Sequence, residues 1–82
     1  MTQSDIYQAL TDILREVFDD DALTATPELS AGDVPEWDSF NHINIVVASE
    51  QRFGVKFHAA EIESLRNVGE FVGLIERKRL AA

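Results

Sequence analysis

The sequence predicts an all-α fold: a small four-helix bundle of three longer helices and one short helix, with a long first loop. Three observations carry the prediction. Apolar residues recur at helical spacing in separate segments. Residues that start and stop helices flank those segments. The chain has 82 residues, which fits one domain spanning 1–82 with a modest core.

The first helix is marked by Ile6, Leu10, Ile13, Leu14 and Val17 on one face. Ser4 or Thr2 would cap it, and Asp5 suits the positive end of its dipole. It is expected to stop near Phe18, because Asp19-Asp20-Asp21 sets three carboxylates side by side. Residues 19–38 follow no period and contain Pro27, Gly32 and Pro35. Long connections of this kind are uncommon in small domains and often functional. Leu23, Leu29 and Val34 suggest a loop held against a core, with a short helical turn at Thr26-Pro27-Glu28-Leu29.

The second helix is predicted from Ser39 to Phe53, with Asp38 as N-cap and Gly54 as the C-terminal stop. Ile43, Val46, Val47 and Phe53 are expected to form its buried face, with Phe40 and Ile45 at the margins. Ala59 to Leu65 has room for one or two helical turns. The last helix is expected from Asn67, with Glu70 three residues on as a capping-box partner. Val68, Phe71, Val72 and Ile75 line one face of it, and Arg77-Lys78-Arg79 suit its negative end. Gly69 and Gly73 lower its propensity and would permit a neighbouring helix to come close.

Composition narrows the function. With no cysteine, the chain has neither a disulfide nor a thiolate for metal binding or catalysis. The net charge is −8. Residues 1–50 hold eleven acids and one base, Arg15, while residues 51–82 hold four acids and six bases. Such an acid excess repels nucleic acid and favours basic protein partners. No stretch is apolar enough to span a membrane, and Met1-Thr2-Gln3-Ser4-Asp5 does not read as a leader, so a cytoplasmic location and no membrane partner are expected.

No catalytic set is convincing. His42 lies three residues after Ser39 on the same face, but Asp38 is adjacent to Ser39 and better used as an N-cap than as an orienter of the imidazole. His42 reads as a surface histidine and His58 as an exposed one without a partner. Asp19-Asp20-Asp21 lacks the alternating spacing and closing glutamate of a calcium loop, so no metal site is expected. Ser39 stands out instead. It follows a long loop and opens a helix, where a phosphate on its hydroxyl would meet unpaired N–H groups and the positive helix end. Position alone does not separate that role from a plain first-turn serine.

The run Asp38-Ser39-Phe40 resembles the Asp-Ser-Leu signature of acyl carrier proteins. The similarity extends over nearly the full chain. It includes the order of helices, Phe53-Gly54 followed by Val55 and Phe57, then Glu61-Ile62 and the capped last helix. Trp37, preceded by Val34-Pro35-Glu36, is similar to a subset of stand-alone carriers. The resemblance implies a monomeric carrier that is not itself an enzyme. A phosphopantetheinyl transferase, using magnesium and coenzyme A, would attach a 4'-phosphopantetheine arm to Ser39. The arm's thiol would carry acyl groups between loading and transferring enzymes of fatty acid, polyketide or related biosynthesis. Asp38 would position the serine. Trp37, Phe40, Glu36 and Glu50 would meet partners. Ile43, Val46, Val47, Ile62, Leu65, Val68 and Phe71 would line an apolar cargo cleft, or form ordinary packed core.

Two features depart from the family pattern. Phe40 replaces the usual leucine, and Glu50 is the one acid between Ser39 and Phe53. Both suggest a dedicated partner set. The alternatives are a carrier of aminoacyl or peptidyl groups, against which the absence of paired glycines before Ser39 argues, and a small helical interaction domain that is never modified.

Overall fold

The structure, a computed structural model, describes residues 2–81. Among them are four α-helices and no strand: α1 (Gln3–Phe18), α2 (Ser39–Phe53), α3 (Ala59–Glu63) and α4 (Val68–Ala81). A 3-10 turn at Ala31–Asp33 interrupts the long first loop. The predicted helical bundle is therefore the observed one.

Thr2, not Ser4, starts α1. Its hydroxyl accepts from the Asp5 N–H at 3.2 Å, and the Asp5 carboxylate accepts from the Thr2 N–H at 3.0 Å. This reciprocal box satisfies two donors at the helix start. The helix ends at Phe18, as expected, and Asp19 turns the chain with a left-handed φ of 50°. Aspartate tolerates that region better than most side chains.

The loop of residues 19–38 is tied down through its backbone. The Arg15 Nε–H donates to the Leu23 carbonyl at 2.7 Å, and the Ala25 N–H donates to the buried Thr11 hydroxyl at 2.9 Å. On the far side, the Val68 and Gly69 N–H groups donate to the carbonyls of Leu29 and Pro27 at 2.8 and 3.0 Å. The first two donors of α4, which have no partner within their own helix, are thus satisfied by the loop. Residues 26–29 form a turn instead of the expected helical one, closed by the Leu29 N–H on the Thr26 carbonyl.

The expected bounds of α2 hold, with Gly54 at φ 68° as its stop. Its buried face requires correction. Ile45, Val46, Ser49 and Phe53 are buried, whereas Phe40, Ile43 and Val47 are 72, 59 and 46% exposed. Two apolar stripes run along this helix, and helical spacing alone does not say which one meets α1. Ser49 disguised the true one: its hydroxyl donates to the Ile45 carbonyl at 2.7 Å, so it is buried without an unmet polar group.

α3 stops at Glu63, two residues short of expectation, and the Ser64 hydroxyl donates to the Glu61 carbonyl just beyond. Asn67 caps α4, accepting from the Glu70 N–H at 2.9 Å, while the Glu70 carboxylate accepts from the Arg66 N–H at 2.8 Å. Gly69 does permit a close approach, but of the loop at Pro27 and not of a helix; a Cβ at Gly73 would meet only an Arg77 guanidinium nitrogen, at 3.8 Å. Lys78 pairs with Glu61 at 2.7 Å, and Arg79 donates to the Phe53 carbonyl at 2.9 Å, fastening α4 to α3 and to the end of α2. The core lies where α1 packs on α2 and α4. It is built from Ile6, Leu10, Ile13 and Leu14, Ile45 and Phe53, and Val68, Phe71, Val72, Leu74 and Ile75.

Candidate functional site

Ser39 stands exposed at the first position of α2. The Asp38 carboxylate accepts from the Asn41 N–H at 2.8 Å, and the Asn41 side-chain amide donates to the Glu36 carbonyl at 2.8 Å. These two bonds fix the entry to the helix. They leave the N–H groups of Ser39 and Phe40 and the Ser39 hydroxyl without a hydrogen-bond partner among the described residues. The site accordingly offers an accessible nucleophilic oxygen beside two free donors and the positive helix end, a setting worth about 0.3–1 kcal/mol to an exposed anion. A phosphodiester on Ser39 Oγ fits these residues without displacing an existing contact.

Trp37, expected to face partners, is instead half-buried. Its ring packs against Phe18 at a centroid distance of 5.7 Å, and its indole N–H donates to His42 Nδ1 at 3.2 Å. His42 is therefore not the free surface histidine the sequence suggested. The useful signal was the five-residue interval between Trp37 and His42, which lets one turn of α2 carry the imidazole back over the loop. His58 is exposed, and its N–H donates to the Glu61 carboxylate at 2.8 Å.

Glu50 is also reassigned. Its carboxylate accepts from the Phe57 N–H at 2.9 Å and so holds the connection between α2 and α3. Glu36 and Asp38 remain exposed beside Ser39, as does Phe40. The outer face of α2 thus presents the apolar stripe Phe40, Ile43 and Val47 with acids only at its loop end.

The expected cleft residues fall into three places. Val46, Leu65, Val68 and Phe71 line a cavity of about 60 Å³ together with Ala31, Trp37, His42 and Ile45. Ile43 and Ile62, with Leu65 again, line an open groove that contains Asp38 and Ser39. Val47 lines neither, because it lies on the solvent side of α2. Ala31, Trp37, His42 and Leu65 border both spaces and form the wall between them. Among the described residues no group of three or more histidine and acidic side chains converges as a metal site would need, and no helix is long and apolar enough to cross a membrane.

No family model matches the chain. It is 34% identical to the meromycolate extension acyl carrier protein of Mycolicibacterium smegmatis, over 93% of this chain and 77% of that protein. It is 30% identical to the acyl carrier protein of Acidothermus cellulolyticus, over 100% of this chain and 98% of the other. The solution NMR structure of a holo acyl carrier protein from Geobacter metallireducens superposes with a TM-score of 0.83 at 44% identity, over 92% of this chain and 85% of that one.

Proposed function

The chain belongs to the acyl carrier protein family, and from that premise we propose that it carries acyl intermediates as thioesters on a 4'-phosphopantetheine arm esterified to Ser39. The observation that carries the proposal is the exposed Ser39 hydroxyl at the capped start of α2, beside free backbone donors. When bound, the arm supplies the thiol that the cysteine-free chain lacks. The chain's own residues do the rest. Asp38 and Asn41 hold the helix entry, the first-turn N–H groups would hold the phosphate, and the groove along Ile43, Ile62 and Leu65 would offer the arm an apolar path.

Relatives named for meromycolate extension favour an acyl cargo over an aminoacyl one. The partners in this reading are a phosphopantetheinyl transferase and enzymes that load and accept acyl groups, met by a monomer in the cytoplasm. Phe40, Ile43 and Val47 form the face they touch, with Glu36 and Asp38 supplying charge at one end.

The test is the intact mass after incubation with magnesium, coenzyme A and a broad-specificity transferase. Wild type should gain one phosphopantetheine and Ser39→Ala none. No gain on wild type, under conditions that modify a control carrier, would sink the carrier reading. A gain that survives Ser39→Ala would sink the site.

A further inference from the structure

We infer that Trp37 and His42 form a polar latch that decides whether an apolar cargo stays in the groove at Ser39 or enters the cavity behind it. Resting on the carrier reading above, this adds two specificity-determining residues to it. Both residues border both spaces, and one hydrogen bond of 3.2 Å joins them across the wall. The other bordering side chains, Ala31 and Leu65, are apolar and make no directed bond of that kind.

The size of the cavity gives the latch its consequence. At about 60 Å³ it is far smaller than the engineered apolar cavity of about 150 Å³ that admits a benzene ring. An alkyl chain of more than a few carbons fits only if the lining moves apart. Backbone bonds hold much of the rest of the cavity lining: Val68 is tied to Leu29, and α2 is continuous through Ile45 and Val46. The Trp37–His42 contact is made by two side chains alone, so it parts by rotation without breaking a helix. Opening exposes an indole N–H and an imidazole nitrogen, both of which water can satisfy at the half-exposed mouth.

The bond also fixes the imidazole. Its Nδ1 accepts from the indole N–H, which orients the ring across the border of the two spaces.

The sequence contains a single tryptophan, so the indole N–H gives one NMR resonance that reports the latch directly. The experiment titrates 1-hexanol into unmodified protein and follows the amides of Val46, Val68 and Phe71 and the methyls of the two valines. In wild type these should move only as the indole N–H resonance moves. Trp37→Phe keeps a ring against Phe18 but has no donor. It should bind hexanol at roughly two- to tenfold lower concentration, the range one net hydrogen bond supplies. His42→Gln restores an acceptor and should return towards wild type, while His42→Ala should behave as Trp37→Phe and replaces it if that variant does not fold. Equal affinity in wild type and both latch-deficient variants, or cavity shifts with an unmoved indole resonance, would overturn the proposal. The probe needs no arm, so a failure of Ser39 to be modified registers separately, in the mass measurement.

Discussion

Gly69 lies directly against Pro27: its N–H donates to the Pro27 carbonyl at 3.0 Å, and a Cβ placed on it would sit 3.0 Å from that oxygen and 3.3 Å from the Pro27 Cα. Both neighbours are backbone atoms and cannot rotate away. Gly69→Ala should therefore destabilise by about 1–3 kcal/mol, since strain outweighs the gain in helix propensity near a helix end. Gly73, one turn on, has nothing nearer than an Arg77 guanidinium nitrogen at 3.8 Å. Gly73→Ala should stabilise by up to about 1 kcal/mol. Thermal unfolding of the pair checks both signs, and equal shifts would contradict the close approach.

The cap on α2 links stability to the site. Asp38→Ala removes the acceptor for the Asn41 N–H and should cost about 1 kcal/mol, or roughly 4–8 °C in Tm for a domain of this size. Asp38→Asn keeps an acceptor and should lose less. If Asp38 positions Ser39 only through this cap, modification of Ser39 should slow in the same order. The transferase rate on each variant, measured below its Tm, gives that comparison.

Acid should weaken the contact between α3 and α4. The Lys78 ammonium, and then the His58 N–H, hold the Glu61 carboxyl below its ordinary value. Asp5 is likewise lowered, by the N–H and then the hydroxyl of Thr2. A carboxylate whose folded pKa is depressed binds fewer protons when folded than when unfolded. Its stabilisation is present above the unfolded value and fades as pH falls through the folded one. For Glu61 the loss begins as pH falls below about 4.5. Denaturant unfolding of Glu61→Gln across this range should show a shallower acid dependence than wild type. The Asp5 carboxylate is exposed and the Glu61 side chain 31% exposed, so the effect should be small and salt-sensitive.

Phe40 is 72% exposed, so Phe40→Ala should change stability by less than about 0.5 kcal/mol. The carrier reading assigns that ring to partners. The same variant should lower kcat/KM for the enzymes that serve this carrier. Because Glu50 is engaged by Phe57, salt should affect that encounter less than it affects carriers with an acidic second helix. Efficient exchange with a generic fatty-acid-synthase partner would count against a dedicated partner set.

Much of the fold could be read from the chain because local signals agree with one another. Asp38 and Gly54 bound α2 whatever surrounds it, and the stripe from Ile6 to Val17 has one reading. What escaped depends on distant neighbours. The choice of the Ile45 stripe over the Ile43 stripe is made by α1, and Ser49 hides its polarity by bonding within its own helix. The engagement of Glu50 and Trp37 likewise arises from contacts that no period encodes. The placement of Ser39 at the capped start of α2 was legible because it is a local property, whereas its role as an attachment point is proposed from the family resemblance.

Attachment at Ser39 is tested by mass-spectrometric fragmentation of the protein produced together with a phosphopantetheinyl transferase. One phosphopantetheine is expected, with fragment ions placing it on Ser39. An unmodified Ser39 peptide, or a modification on any other residue, would contradict it.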